Sequence, residues 1–382
     1  MRAAGCDLII DAKDLAVVGI TEIVSHLPKI LGLYKKLIRA ADDRRPALAV
    51  VIDSPAFNWR VTRQMHRRGI PVVYYDCPQF WAWRQGRVQL LRKYVNKALV
   101  IFPFEEKFYR DRGVDATFVG HPLADLPAPA ITREAYAEQV WGGHSCPPLD
   151  PAKPWITLMP GSRRKEVRMN LPTILEAADR LGTRYEFLLP VARTLETAFV
   201  QELIGAEKRH AAPQTAVSRF VSGHRFSDVE NAREVVPPLG AVPAEGASHI
   251  HLVPEALPAL HHSRAAIVAS GTATVEAALM GTPFVMVYRV SPLTYALGKP
   301  RIKVPHYAMV NLIAGEEVVP ELVQHKFTAG NIVAELSTIV PDGPPRETML
   351  RGLKSVREKL KKPDGDQQPA DRAAEIIMEM VR

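Results

Sequence analysis

Ala265-Ala266-Ile267-Val268-Ala269-Ser270-Gly271-Thr272-Ala273-Thr274-Val275-Glu276 changes character twice over a short distance. The uninterrupted apolar run to Ala269 reads as a strand buried on both faces. Small residues then make a turn, and a helical pattern begins. A strand, a small-residue turn and a helix start leave free backbone N–H groups and a positive dipole end where a phosphate can sit. Ser270, Gly271 and Thr272 permit close approach, and the two hydroxyls can donate to phosphate oxygens. Glu276, one turn further on, can accept hydrogen bonds from a ribose diol. The same residues also read as an ordinary helix cap, with Thr272 or Thr274 at the N-cap and Glu276 as a first-turn acid. Taken alone, the stretch does not choose between the two.

The alternation extends in both directions. Apolar runs at Ala47–Ile52, Pro71–Tyr75, Ala98–Phe102, Trp155–Met159, Tyr185–Leu189, Ala265–Ala269 and Pro283–Tyr288 are separated by longer amphipathic stretches. This is the pattern of buried parallel strands linked by helices, and such sheets bind ligands beyond the carboxyl ends of their strands. The Pro-rich passage from Pro122 to Pro154 reads as an interdomain connection with one helix inside it. Residues 205–246 read as an insertion or loose loop. Arg346–Lys361 and Ala370–Val381 carry helical patterns on either side of the breaker Pro363-Asp364-Gly365. The expected fold class is α/β, with two doubly wound domains facing each other across a cleft.

A second phosphate-type loop follows the run ending at Met159: Pro160-Gly161-Ser162-Arg163-Arg164-Lys165-Glu166. Arg163 leads a basic cluster into a helix, and arginine suits a bidentate grip on a pyrophosphate. A solvated helix start is the plainer reading, but two such loops in one strand series favour the ligand.

The first half is less decisive. Val50-Val51-Ile52-Asp53 ends a buried strand in a carboxylate, where a general base belongs, although a lone Asp there is more often a turn-former or N-cap. Trp81-Ala82-Trp83-Arg84 can wall an acyl or sugar site, but core packing is the commoner use of such aromatics. His121, in Gly120-His121-Pro122, is a cleft residue or a satisfied loop histidine. From Gly19 to Arg39, Ile20, Ile23, Val24, Leu27, Ile30, Leu31, Tyr34, Leu37 and Ile38 follow helical spacing beside Lys29, Lys35, Lys36 and Arg39. Periodicity, interrupted at Pro28, favours a core helix over one that dips into an anionic membrane.

Composition bounds the classes. A chain of 382 residues, 47% hydrophobic and 24% charged, is a globular protein long enough for two domains. A net charge of +8 suits nucleotide-sugar pyrophosphates or acidic lipid headgroups, though a solvated surface with a small cationic excess explains much of it. Nucleic acid is set aside, because the basic residues are scattered and no recognition motif occurs. Cys6, Cys77 and Cys146 follow no disulfide or metal spacing and suit a reducing compartment. No apolar run reaches the roughly 18 to 20 residues that cross a bilayer, and the opening residues lack a signal-peptide core. The expected location is cytoplasmic, with any membrane contact peripheral. His249 with His251 and His261 with His262 lack a completing Cys or carboxylate cluster, so no metal is expected.

Taken in order, seven elements resemble those of bacterial lipid-A-disaccharide synthase. They are Ile52-Asp53-Ser54-Pro55 through Asn58, Trp81-Ala82-Trp83-Arg84, Phe102-Pro103-Phe104-Glu105, Gly120-His121-Pro122, Pro160-Gly161-Ser162-Arg163, Ser270-Gly271-Thr272-Ala273-Thr274-Val275-Glu276 and Asn311-Leu312-Ile313-Ala314-Gly315. The likeness runs from about Gly5 to the C-terminus and is weakest over 205–246. It implies a GT-B fold of two Rossmann-like domains, and transfer of diacylglucosamine from UDP to the 6-hydroxyl of a diacylglucosamine 1-phosphate. By position it makes Asp53 the catalytic carboxylate and Arg163, with Ser162, the diphosphate-binding residue. Ser270, Gly271, Thr272 and Glu276 become the nucleotide loop, and Asn311 and Gln324 line the same site. Asn58, Trp81, Arg84 and His121 fall on the acceptor side. The 19–39 helix matches a region of acyl-chain and membrane contact, which reverses the core-leaning reading of its periodicity.

The resemblance further implies a homodimer, an anionic inner-membrane surface as partner, UDP-sugar as substrate, and no cofactor or metal. It divides the chain into 1–130 (acceptor and membrane side), 131–345 (UDP side) and 346–382 (C-terminal helices packing on the first domain or a partner subunit). Two departures are visible. The family opens with a strand and a Ser-Gly-Glu-x-Ser-Gly-Asp turn, whereas Gly5–Asp11 matches the interior of its first domain. The first domain is therefore expected to lack its opening strand and Gly-rich turn. Ala56 stands where many relatives have a second acidic residue, and Cys77 where they have Ser. The competing readings are another GT-B enzyme, such as a UDP-N-acetylglucosamine epimerase, and a non-catalytic nucleotide- or membrane-binding remnant.

Overall fold

Aliphatic and aromatic residues dominate the runs that pair as strands. These are β1 (Ala49–Ile52), β2 (Val72–Tyr75), β3 (Lys97–Val100), β4 (Ala116–Phe118), β5 (Trp155–Met159), β6 (Glu186–Pro190), β7 (His249–Val253), β8 (Ala265–Ala269), β9 (Phe284–Tyr288) and β10 (Glu321–Val323). The computed structural model describes residues 4–10, 20–142, 149–211, 249–302, 304–361 and 367–381. Most of the 205–246 passage lies outside them, and its opening residues end a helix. The chain divides into two units. The first takes the described residues through Asp125, Pro300–Val304 and those from Lys359 onward, and the second takes Leu126–Lys299 and Pro305–Glu358.

The first unit holds a four-stranded parallel sheet in the order β1-β2-β3-β4. Its helices are α1 (Ile20–Arg44), α2 (Pro55–Arg67), α3 (Val88–Tyr94) and α4 (Pro103–Arg110), with the last helix of the chain, α14 (Pro369–Glu379). One face buries Val51, Val61, Met65, Tyr74, Leu91 and Val100, against which Tyr34, Leu37, Ile38 and Ala41 of α1 pack. On the other, Ala373, Ile376 and Ile377 of α14 join Val73, Leu99 and Val119. The later turns of α1 thus serve the core, as periodicity predicts. Pro28 does not interrupt the helix, contrary to the sequence reading. β1 is an edge strand, with Val50 40% and Ile52 53% exposed.

The second unit holds a six-stranded parallel sheet in the order β10-β9-β8-β5-β6-β7. Its helices are α5 (Arg133–Gly142), α6 (Arg164–Leu181), α7 (Thr197–Ala211), α8 (Ala256–His262), α9 (Ala273–Met280), α10 (Pro292–Gly298), α11 (Met309–Ala314), α12 (Ala329–Ile339) and α13 (Pro344–Leu360). Every residue of β8 is buried, which explains its unbroken apolar run. The Pro-rich passage belongs to this unit beyond Asp125, because Tyr136, Ala137 and Val140 of α5 pack with Trp155 and Leu188.

From β5 the chain winds outward through β6 to β7, then returns to the other side of β5 and winds through β8 to β10. The direction reverses between β5 and β8, and ligands of doubly wound sheets sit at such a switch point.

Candidate functional site

Both phosphate-type loops flank this switch point, since β5 pairs with β8 along Ile156↔Ala265 to Met159↔Val268. Each loop turns on a glycine in the positive-φ region, Gly161 at 125° and Gly271 at 142°. Their electrostatics differ.

In the β5–α6 loop the protein supplies its own anion. Glu166 Oε2 accepts the N–H of Ser162 at 3.2 Å and of Arg163 at 3.3 Å, while Oε1 accepts from Arg163 Nη1 at 2.7 Å. Ser162 also holds Thr194 Oγ1 through its carbonyl at 2.6 Å. In the β8–α9 loop no described residue fills that role. The N-cap Thr272 makes no side-chain cap, and among the described residues the N–H groups of Gly271, Thr272 and Ala273 find no acceptor. Ser270 Oγ donates to the Tyr307 carbonyl at 2.9 Å, and Thr274 Oγ1 to that of Gly271 at 2.8 Å, which fixes the turn. Gly271 and Thr272 are exposed. The result is an open set of amides at a helix N-terminus, the arrangement that binds phosphate.

Glu276 stands half-buried on the first turn of α9, and burial holds its carboxyl above the usual range. Among the described residues that carboxyl has no partner, so a ligand hydroxyl has an acceptor waiting. Asn311 and Gln324 are occupied instead. Asn311 is fully buried, donates to the Val319 carbonyl and Glu321, and accepts from Val318 and Val319. Gln324 accepts from the Val290 N–H at 2.8 Å and donates to its carbonyl at 3.1 Å, tying the end of β10 to that of β9. Gln324 thus shapes backbone at the carboxyl end of the sheet, whereas Asn311 holds the segment that enters β10.

In the first unit, Asp53 follows β1 with φ 43°, and Ser54 after it also has φ 43°. Left-handed backbone in two consecutive non-glycine residues costs energy that surrounding structure must offset. Asn58 does part of this, donating to the carbonyls of Ile52 at 2.8 Å and Asp53 at 2.6 Å. Tyr74 adds a hydrogen bond to the Asp53 carbonyl at 2.9 Å. Pro55 then opens α2, its lost N–H being no loss at that position. The Asp53 carboxylate is left exposed and, among the described residues, without a partner.

The remaining residues of this set separate. Trp81 is buried, donates its indole N–H to Glu105 at 2.8 Å and packs edge-on to Phe104. His121 is buried against Phe102, accepts the Leu123 N–H, and burial lowers its pKa to about 4, so it is neutral. Arg84 is exposed, with its guanidinium over the ring of Trp83, itself 46% exposed. Ile30 is half-buried and Leu31 45% exposed, whereas the side chains of Ile20, Ile23, Val24 and Leu27 lie outside the described residues.

One carboxylate escaped the sequence reading, and a second, Glu105, entered it only as part of a family element. Asp76 follows β2 as Asp53 follows β1, one strand away and also left-handed at φ 55°. Burial, and then the charge of Asp53, push its pKa up to about 6. The parallel between Tyr75-Asp76 and Ile52-Asp53, each an apolar run ending in Asp, was the available signal. Beneath them, burial raises the Glu105 carboxyl to about 8, although hydrogen bonds from Trp81 and the Phe102 N–H oppose the shift. One member of each histidine pair has an ordinary partner: His251 meets Glu186 at 2.8 Å, and His262 the Ile131 carbonyl at 2.9 Å.

Comparison with known proteins adds the family. The family described as lipid-A-disaccharide synthetase matches residues 1–227 and 233–374. The lipid-A-disaccharide synthase of Koribacter versatilis is 48% identical over 382 residues, covering 100% of this chain and 88% of that protein. In Acidobacterium capsulatum the protein of the same name is 47% identical, over 95% of this chain and 83% of its own length. Among solved structures, the glycosyltransferase of kitacinnamycin aligns with 100% of this chain and 88% of its own, at a TM-score of 0.56 and 14% identity. That likeness is one of fold, GT-B.

Proposed function

The chain belongs to the lipid-A-disaccharide synthase family, and from that premise we propose that it joins UDP-2,3-diacylglucosamine to 2,3-diacylglucosamine 1-phosphate, giving lipid A disaccharide 1-phosphate and UDP. The observation that carries this reading is identity along the whole chain with proteins of that name. An epimerase on the same fold is not favoured, because the full-length relatives are synthases.

Each group then has its own task. Asp53, an exposed carboxylate without a partner among the described residues, takes the proton of the acceptor 6-hydroxyl as that oxygen attacks the anomeric carbon. The bond from that carbon to the UDP oxygen breaks on the opposite face, so configuration inverts. Charge developing on the diphosphate meets the amides of Gly271, Thr272 and Ala273, the α9 dipole and Arg163. Glu276 accepts from the ribose hydroxyls. Asn58, Asn311 and Gln324 act by holding backbone in place. UDP-sugar is a substrate, and the reaction as written calls on no metal or cofactor.

Both substrates carry acyl chains, so the proposed workplace is the cytoplasmic surface of the inner membrane, with a homodimer as the working form. The exposed Leu31 beside Lys35, Lys36 and Arg39 on α1 supports the membrane surface as workplace, as that surface is anionic. No helix among the described residues is long and apolar enough to cross a membrane.

The test is to follow UDP with purified protein and both acylated substrates. UDP is expected only when donor and acceptor are present together. UDP from donor alone, an epimerised donor, or binding without turnover each contradict the proposal.

A further inference from the structure

The contact between Glu166 and Arg163 has more in it than a helix cap. Glu166 Oε2 is engaged by two loop amides, and only Oε1 is given to the guanidinium, at 2.7 Å. The turn is shaped to bring the carboxylate there. A Cβ at Gly161 would lie 2.8 Å from Glu166 Cβ and 2.9 Å from Oε2, so only glycine lets the two meet. Arg163 is 79% exposed on its side chain, yet one of its amino groups is already fixed. A guanidinium has five N–H donors, and among the described residues no other acceptor engages those of Arg163.

We propose that Glu166 is a positioning residue for the leaving group: it holds Arg163 by Nη1 so that the other donors are pre-aimed at the diphosphate of the UDP-sugar. The inference rests on the reading of Arg163 as a diphosphate ligand. Glu166 does not compete with that ligand, because its charge is spent on two amides and one guanidinium and it need not move. What it supplies is order. A free arginine samples many rotamers and loses that freedom on binding, whereas one tethered beforehand loses less. A helix cap with no further role predicts that loss of Glu166 lowers stability and leaves nucleotide binding alone.

A double-mutant cycle on UDP affinity, measured by titration calorimetry, separates these. Glu166→Ala is expected to weaken UDP binding about fivefold, the upper range for an exposed ion pair. Arg163→Ala is expected to weaken it more, and the double variant to be no weaker than Arg163→Ala alone. Glu166→Gln, which keeps the size of the side chain, serves if the alanine variant folds poorly. Unchanged UDP affinity with a lowered melting temperature overturns the proposal. So does a Glu166→Ala penalty that persists in the Arg163→Ala background. If Arg163→Ala itself binds UDP as the parent does, the diphosphate reading fails first. If it weakens binding and Glu166→Ala does not, only the positioning role fails.

Discussion

At the carboxyl ends of β1 and β2 the chain turns through Asp53 and Asp76, whereas at those of β5 and β8 it turns through Gly161 and Gly271. The two sheets are both parallel and both wound with helices, so architecture does not make the difference. The first one or two residues after the strand do. An aspartate forced into left-handed backbone presents a carboxylate that can take a proton and repels anions. At Gly271 the turn leaves amides open and the helix that follows adds its positive end, whereas at Gly161 the carboxylate of Glu166 takes the amides and the loop presents the Arg163 guanidinium. The fold thus offers one kind of place twice, and the proposed function gives the base to one and the diphosphate to the other.

The largest expected effect removes the base. Asp53→Asn should lower transfer by about a thousandfold, within the usual range for a general base, with UDP affinity unchanged in a titration. A variant that loses both in parallel would erase the contrast.

The second prediction sets the two glycine turns against each other. Gly161→Ala meets positive φ and a contact below 3 Å with Glu166, so a loss of about 3 kcal/mol in urea unfolding is expected. At Gly271 the φ is also unfavourable, but nothing lies within 4 Å of a Cβ, so about 1 to 2 kcal/mol is expected. Gly271→Ala should instead show its effect mainly in UDP affinity, because its amide belongs to the open set.

The third and smallest concerns pH. Glu105 has a folded pKa raised from 4.5 to about 8, so the folded state holds a proton that the unfolded state releases across that window. Its contribution to stability is present at low pH and is lost as pH rises towards 8. His121, lowered from 6.5 to about 4, works in the opposite sense below 6.5, where the unfolded chain takes up the proton. Stability of the first unit should therefore decline most cleanly between pH 6.5 and about 8. Glu105→Gln should flatten that decline in urea midpoints taken across the range.

The interior of the fold was more legible than its edges. β5 and β8, buried between neighbours, were read to the residue from their apolar runs. β4, β7 and β10 went unassigned, and each is an edge strand of its sheet. β4 and β10 are only 3 residues long, and the three strands carry polar residues, Thr117, His251 and Glu321, so their pattern is weak. At the site, local signals gave Gly271 and Arg163, because a strand, a small-residue turn and a helix start adjoin in sequence. Asp76 and Glu166 were not singled out. The first matters through a neighbouring strand and the second through a turn that folds back, and neither relation is written in local spacing.

The most direct test of the division between the two sheet ends is a map of backbone amide shifts on adding UDP. The account predicts that the amides of Gly271, Thr272 and Ala273 move, while those of Asp53 and Asp76 stay where they are. Shifts centred on Asp53 and Asp76, with Gly271–Ala273 unmoved, would contradict it.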